Sequence, residues 1–367
     1  MTKITVIGCG MVGHVMALDL SSEYEVTAVD INNDNLKQIQ GSNIKIVQGN
    51  IFKNDFLDSL ILTTDWFVLA IPGFLGYEGL KRLVARGQKV VDISFFPEDP
   101  FELSQIAKEN GGFALVDCGI APGYSHLAAG NYYEQGLKEF YCYVGGLPFE
   151  KNAPFNYKAP FSPIDVIEEY TREARYKENG QIIIEQPLLL KETIEFEQIE
   201  NLEAFISDGI RSLLYTLPEV NSMYEKTLRY PGHADLMLQL KQAGYFDESE
   251  IEISGTLVSP LKLSEKLLFD HWKLSPNDDE FTIMRMILKG DFGLKQIDIF
   301  DRRDQKSGFS SMSRTTGFTA TSSLRFLIQN KINQKGIFTP EQIATKHKIF
   351  DFVTDLLIQK GIEIKIS

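Results

Sequence analysis

The sequence predicts an α/β chain: an N-terminal doubly wound parallel sheet, then a second α+β domain with a mostly antiparallel sheet. Three observations lead there. Short β-branched apolar runs alternate with amphipathic stretches over the first 120 residues. A glycine-rich turn, Gly8-Cys9-Gly10-Met11-Val12-Gly13, lies between the first such run and the first helical stretch. After about Gly123 the alternation gives way to hairpin spacing.

In the first region, strands are expected at Lys3–Ile7, Glu25–Asp30, Ile44–Gly49, Trp66–Ile71, Lys89–Ile93 and Phe113–Asp117. Helices are expected at Val12–Ser21, Leu75–Arg86 and Phe101–Asn110. Further on, Phe140–Val144 reads as a strand leading into a loop, and Asn179-Gly180 between extended runs reads as a hairpin turn. Strands are also expected at Thr193–Phe196, Phe281–Leu288 and Gln296–Asp301, and helices at Asp208–Tyr215, His233–Ala243 and Ser264–Trp272. From Ser311 the chain turns helical again, over Ser313–Ile328 and Gln342–Gln359. The expected domains are 1–123 and 124–311, and by their spacing alone the C-terminal helices could belong to either.

Charge excludes several classes. The 37 Lys and Arg face 50 Asp and Glu, a formal net charge of −13. Such a chain repels phosphate backbones and anionic lipid, so nucleic acid and membrane are not expected partners. Cys9, Cys118 and Cys142 form no CxxC pair, so no metal site or disulfide framework is expected. With no 18-residue apolar run and no charged leader, a cytoplasmic location is expected.

The glycine-rich turn follows a strand, opens a helix and is answered by Asp30 at the end of the next strand. In that context GxGxxG is the Rossmann dinucleotide fingerprint. Gly8 permits the turn, Gly10 lets a pyrophosphate approach the backbone, and Gly13 lets the helix pack close to the sheet. The helix start offers unpaired N–H groups to the phosphates. Asp30 can accept from ribose hydroxyls and would repel a 2′-phosphate. Ile31 and its successors supply no compensating arginine, so the cofactor is read as NAD. Met11 and Val12 complete the loop.

Chemistry in such sheets sits beyond the carboxyl ends of the strands. Pro72-Gly73, Ser94 and Gly119 occupy three such ends and are expected along the nicotinamide half of the cofactor. Asp92 and Asp117 can bind a cationic amine or relay its proton, or can simply cap the following turns. His126 is the remaining acid–base candidate. Cys118 reads either as a buried filler or as a thiol facing the nicotinamide.

Asp117–Gly130 (DCGIAPGYSHLAAG) resembles the saccharopine dehydrogenase-like family. The resemblance continues through Val144–Pro148, Asn156–Lys158, Glu168–Thr171, Leu202–Ser212, Lys226–His233 and Ser311–Gly317. Ile71–Gly76 and Glu203–Ser212 are most similar to its lysine 6-dehydrogenase branch. That branch usually carries Ser-Asn where this chain has Ser125-His126; a histidine there is more like the saccharopine reductases. The resemblance implies NAD-dependent oxidation of the lysine ε-carbon to 2-aminoadipate 6-semialdehyde and ammonia, an N-terminal Rossmann domain to which a C-terminal segment, about 312–367, returns, and a homodimer built through the second domain. A saccharopine or related secondary-amine dehydrogenase is the alternative, and a non-catalytic NAD-sensing protein a third. Arg211 and Arg229, in the family motifs, are the candidates for a substrate carboxylate, with Arg229 equally readable as a structural ion pair. Tyr230 and His233 are candidates for the same pocket. Glu168 and Glu169 are candidates for the α-ammonium or a solvated helix start, and Asp208 is expected to cap the helix carrying Arg211.

Overall fold

The computed structural model describes residues 1–159, 163–275 and 278–367. In chain order the first part runs β1 (Lys3–Ile7), α1 (Gly13–Leu20), β2 (Glu25–Asp30), α2 (Asn33–Lys37), β3 (Lys45–Gln48), α3 (Asn54–Ile61), β4 (Trp66–Leu69), α4 (Gly73–Val84), β5 (Lys89–Asp92), α5 (Ser104–Asn110), β6 (Phe113–Leu115) and α6 (Tyr124–Tyr133). There follow β7 (Leu137–Pro148), α7 (Pro163–Thr171), β8 (Ala174–Glu178), β9 (Gln181–Glu185), β10 (Glu192–Ile194), β11 (Leu202–Ser207), α8 (Leu213–Thr216) and β12 (Ser222–Arg229). Then come α9 (His233–Gln242), β13 (Ile251–Ile253), β14 (Thr256–Val258), α10 (Pro260–Trp272), β15 (Glu280–Gly290) and β16 (Gly293–Arg302). The chain closes with α11 (Ser311–Gln329), β17 (Gly336–Phe338), α12 (Pro340–Ala344), α13 (Ile349–Gln359) and β18 (Glu363–Ile366).

The chain divides into two compact units, 1–134 with 312–362, and 135–311 with 363–367. Unit one holds a parallel sheet in the order β17-β6-β5-β4-β1-β2-β3. This is the doubly wound order, whose reversal point lies between β1 and β4 at the glycine-rich turn. Its strands are apolar because helices cover both faces; β4 (WFVL) is buried throughout. Unit two holds a sheet in the order β10-β11-β12-β7-β15-β16-β18, with the β8–β9 hairpin attached to β12. Only its β12–β7 pair is parallel on this path, so the sheet is mostly antiparallel, as expected. Asn179 and Gly180, both at positive φ, make the hairpin turn that the sequence announced.

Several boundaries differ from the sequence reading, each for a physical reason. Asp208–Tyr215 is not one helix: Arg211 sits at φ 37°, outside the helical region, and only Leu213–Thr216 is helical. The flanking strands β11 and β12 went unpredicted, since Glu225 and Lys226 interrupt the apolar pattern of the central strand β12. β7 continues through Gly145-Gly146 because β15 pairs with it to Pro148. Gln342–Gln359 is split into α12 and α13. Residues 336–338 add an unforeseen seventh strand to the parallel sheet. Helix α6 lies with unit one rather than with the second domain; a Cβ on its Gly130 would sit 2.5 Å from the Glu341 carbonyl, so the helix is pressed onto α12. The last five residues lie with unit two, where β18 pairs with β16.

Candidate functional site

Each fingerprint glycine is required for a different reason. Gly8 has φ +88° and donates to the Val29 carbonyl at 2.8 Å, and a Cβ there would come within 2.2 Å of the Ala70 carbonyl. Gly13 opens α1 so close to the turn that a Cβ would lie 1.8 Å from the Gly8 carbonyl. Gly10 is the opposite case: its Cβ would meet no atom within 4 Å, so the loop leaves room there. Asp30 ties the loop to β2. Its Oδ2 accepts from Cys9 N at 2.7 Å and Asn35 Nδ2 at 3.0 Å, and its Oδ1 accepts from Asn32 N at 2.7 Å. Met11 and Ile31 stand exposed, while Val12 lies beside Gly317 of α11, where an added Cβ would sit 3.5 Å from its Cγ1. Open backbone, a helix start and an oriented carboxylate together fit a dinucleotide.

The C-terminal segment, whose return to the first domain was implied by the resemblance alone, braces this loop through contacts that local spacing did not announce. Ser313 Oγ, on α11, donates to the Met11 carbonyl at 2.6 Å. Lower on the same helix, Thr321 and Arg325 reach Asp19 of α1 at 2.6 and 2.7 Å, and Lys360 also pairs with Asp19. Burial would raise the Asp19 carboxyl, but the charges of Arg325 and Lys360 hold it below the usual carboxylate range. Helix α11 is rich in Ser and Thr and is nonetheless largely buried.

At the strand ends, Pro72 precedes α4 and Gly73 begins it, buried. Asp92 Oδ1 accepts from Ser94 N at 2.7 Å, and the Asp92 carbonyl accepts from Cys118 N at 3.0 Å. The structure thereby brings Asp92, Ser94 and the Asp117–Gly123 turn together. Asp117 takes φ 53°, and Gly119 faces Thr316 of α11. Cys118 is fully buried; burial, with Asp117 and Asp92 adding, pushes its thiol up to about 12, so it is a neutral packing group. His126 is fully buried in the first turn of α6, its Nδ1 3.1 Å from Ser125 Oγ.

Unit two contains a buried charged cluster built on β12, whose alternation puts Glu225, Thr227 and Arg229 on one face. Arg229 donates to Glu169 Oε2 at 2.6 Å, to the Tyr170 hydroxyl at 3.2 Å and to the Leu228 carbonyl at 2.9 Å, and it lies 4.4 Å from the Tyr157 ring centre. His233 contacts the Tyr170 hydroxyl at 2.9 Å and the Phe155 carbonyl at 2.8 Å. Burial, then the Arg229 charge, push its imidazole down to about 3, so it is neutral. Tyr230 points elsewhere, donating to the Pro148 carbonyl at 2.8 Å. Glu168 of α7 pairs with Arg172, just past the end of that helix. Asp208 does not cap a helix: its two oxygens accept from Arg175 Nε and Nη2 at 2.9 and 2.8 Å, which anchors the 208–212 loop to β8. Arg211 is buried in that loop.

Glu225 escaped the sequence reading altogether. It is 5% exposed, and its Oε2 has no hydrogen-bond partner among the described residues. Burial, with the carboxylates of Glu169 and Asp208 adding and Arg211 opposing, pushes its carboxyl up to about 8. The folded chain therefore keeps a proton that the unfolded chain releases near 4.5. This contribution is complete at low pH and is lost as pH rises through about 8. Glu225→Gln should flatten the fall in urea midpoint between about pH 5 and about pH 8; an unchanged profile would exclude the shift.

A turn-and-carboxylate site on a doubly wound sheet defines unit one as an NAD(P)-binding domain of the dehydrogenase type. The chain belongs to the saccharopine dehydrogenase family: the family's NADP binding domain matches residues 4–115 and its C-terminal domain residues 119–362. The saccharopine dehydrogenase [NADP(+), L-glutamate-forming] of Schizosaccharomyces pombe is 24% identical over 69% of this chain and 60% of its own length. The match to the α-aminoadipic semialdehyde synthase of Arabidopsis thaliana, 26% identical over 59% of this chain, spans only 22% of that protein. The carboxyaminopropylagmatine dehydrogenase of Synechocystis is 23% identical over 94% of this chain and 93% of its own. The solved saccharopine dehydrogenase (L-Glu forming) of Saccharomyces cerevisiae has the same fold, with TM-score 0.82 and 18% identity over 100% of this chain and 99% of that one. None of these relatives singles out the lysine 6-dehydrogenase branch. No helix among the described residues is long and apolar enough to cross a membrane.

Proposed function

We propose that this protein is an NAD-dependent oxidoreductase acting on the secondary-amine C–N bond of saccharopine or a related N-substituted amino acid. The observation that carries this reading is the family match across both units, with relatives named for saccharopine and for carboxyaminopropylagmatine. The bound nicotinamide would supply the hydride acceptor. The chain's own task is to hold the amine nitrogen neutral, because a protonated amine cannot release hydride from its carbon. Asp92, Asp117 and His126 are the groups proposed to take that proton, and Arg211 and Arg229 to hold carboxylates.

A second reading, oxidation of the lysine ε-amine with release of ammonia, is favoured by one feature. Arg172, Arg175 and Arg229 each already face a carboxylate, which leaves little positive charge for the additional carboxylates of saccharopine. The test offers saccharopine and L-lysine in parallel to the purified protein with NAD or NADP and follows reduced nicotinamide. Turnover with saccharopine supports the first reading. Turnover with lysine alone, with ammonia, moves the assignment to the second. Silence with both despite cofactor binding excludes saccharopine and lysine as substrates and leaves another N-substituted amino acid or an NAD sensor. A homodimer built through unit two belongs to the same proposal and is checked by sedimentation of the purified chain.

The preference for NAD rests on Asp30, although several relatives carry NADP(+) in their names. Asp30→Ala should weaken NAD binding by about 10–100-fold and narrow its lead over NADP, since a carboxylate both accepts from ribose hydroxyls and repels a 2′-phosphate. Titration of cofactor fluorescence measures both. Wild-type protein that prefers NADP would refute the assignment.

A further inference from the structure

Glu225 is an anomaly in the folded unit. It lies on β12, in the middle of the sheet, beside Ser207 of β11 and opposite Cys142 of β7. The 208–212 loop is pressed against it so tightly that a Cβ on Gly209 would fall 1.5 Å from its Oε1. Yet Oε2 has no hydrogen-bond partner among the described residues, while the neighbouring acids Asp208 and Glu169 are each held by an arginine. A buried carboxyl oxygen without a partner is costly, and its persistence calls for an explanation. The charged groups acting on it are Glu169 from α7 and Asp208 and Arg211 from the loop. Of these, Arg211 alone attracts it.

An α-amino acid presents a carboxylate and an ammonium about one bond apart from a shared carbon. A guanidinium and a carboxyl with one unpartnered oxygen, each acting electrostatically on the other, are the complementary pair. We propose that Glu225 receives the α-ammonium of the substrate's lysyl half while Arg211 receives the adjoining carboxylate. The inference rests on the proposed function, but the lysyl half is common to saccharopine and lysine, so it holds for either reading. An arriving ammonium supplies the missing donor and draws Glu225 into its ionised form, so binding below about pH 8 releases a proton.

The test uses the full chain saturated with NADH, which cannot oxidise the probes, and two probes, L-lysine and 6-aminohexanoate, which lacks only the α-ammonium. Calorimetry gives their affinities for the wild type and for Glu225→Gln, which keeps the shape of the buried side chain. Wild type should prefer lysine by about 10-fold or more, and Glu225→Gln should bring the two probes within about 3-fold while still binding 6-aminohexanoate. Loss of the preference while 6-aminohexanoate still binds cannot come from misfolding, and Glu225→Asp should recover part of it. A variant that keeps the full preference overturns the assignment of Glu225 and leaves the functional reading standing. A wild type that binds neither probe and turns over neither saccharopine nor lysine overturns the assignment and excludes both substrates.

Discussion

Gly10→Ala and Gly13→Ala, three residues apart in one loop, should both abolish cofactor binding, for opposite reasons. The methyl group on Gly10 meets no protein atom within 4 Å, so this variant should fold and melt as the wild type does. It fills the space through which a pyrophosphate must approach the backbone, and affinity for NAD should fall by at least about 100-fold. The methyl on Gly13 would lie 1.8 Å from the Gly8 carbonyl. Backbone cannot rotate away as a side chain can, so α1 must lift from the turn, and unit one should lose about 2–3 kcal/mol as well as its cofactor. Cofactor fluorescence and thermal unfolding separate the two outcomes. A Gly10→Ala variant that binds NAD normally would mean the loop does not hold the pyrophosphate.

Arg229→Met should be the most destabilising single change in unit two. The guanidinium is buried between Glu169, the Tyr170 hydroxyl and the Tyr157 ring, and methionine keeps much of its apolar stem. What it cannot keep is the charge opposite Glu169. Removing one member of such a pair leaves a carboxylate in a poorly solvated place, at a cost of about 3 kcal/mol or more. The second variant decides the cause: Arg229→Met with Glu169→Gln should recover a substantial part of the loss, because the stranded charge is gone. Urea midpoints of the two variants and the wild type measure this. Equal midpoints for the single and double variants would show that Arg229 acts through packing rather than through the pair. Either way, Arg229 ties β12 to α7 through Glu169 and Tyr170, whatever it does for a substrate.

The nucleotide-binding half was legible because its information is local. Lys3–Ile7, the glycine turn and Asp30 fall within one strand–helix–strand unit, where strand, turn and helix start follow from residue type and spacing. The same holds for Asn179-Gly180, whose positive-φ preference is a property of two residues. Other features depend on residues far apart in the chain. Pairing with β17 and bracing by α11 join positions 200 to 300 residues distant, as in Ser313 to Met11, and no local pattern records them. Strand β12 was missed because a central strand that buries Glu225, Lys226 and Arg229 contradicts the apolar rule for such strands, and its charges are tolerable only where other elements meet them. Helix periodicity over Asp208–Tyr215 likewise yielded to Asp208's ion pair with Arg175 and to the left-handed backbone of Arg211. Composition and short-range spacing thus settled the class of the sheet and its glycine-rich loop. The partners of the buried charges, and so the place of Glu225, emerged only when the packed chain brought β11, β12, α7 and the 208–212 loop together, because electrostatic reach is measured in space and not along the sequence.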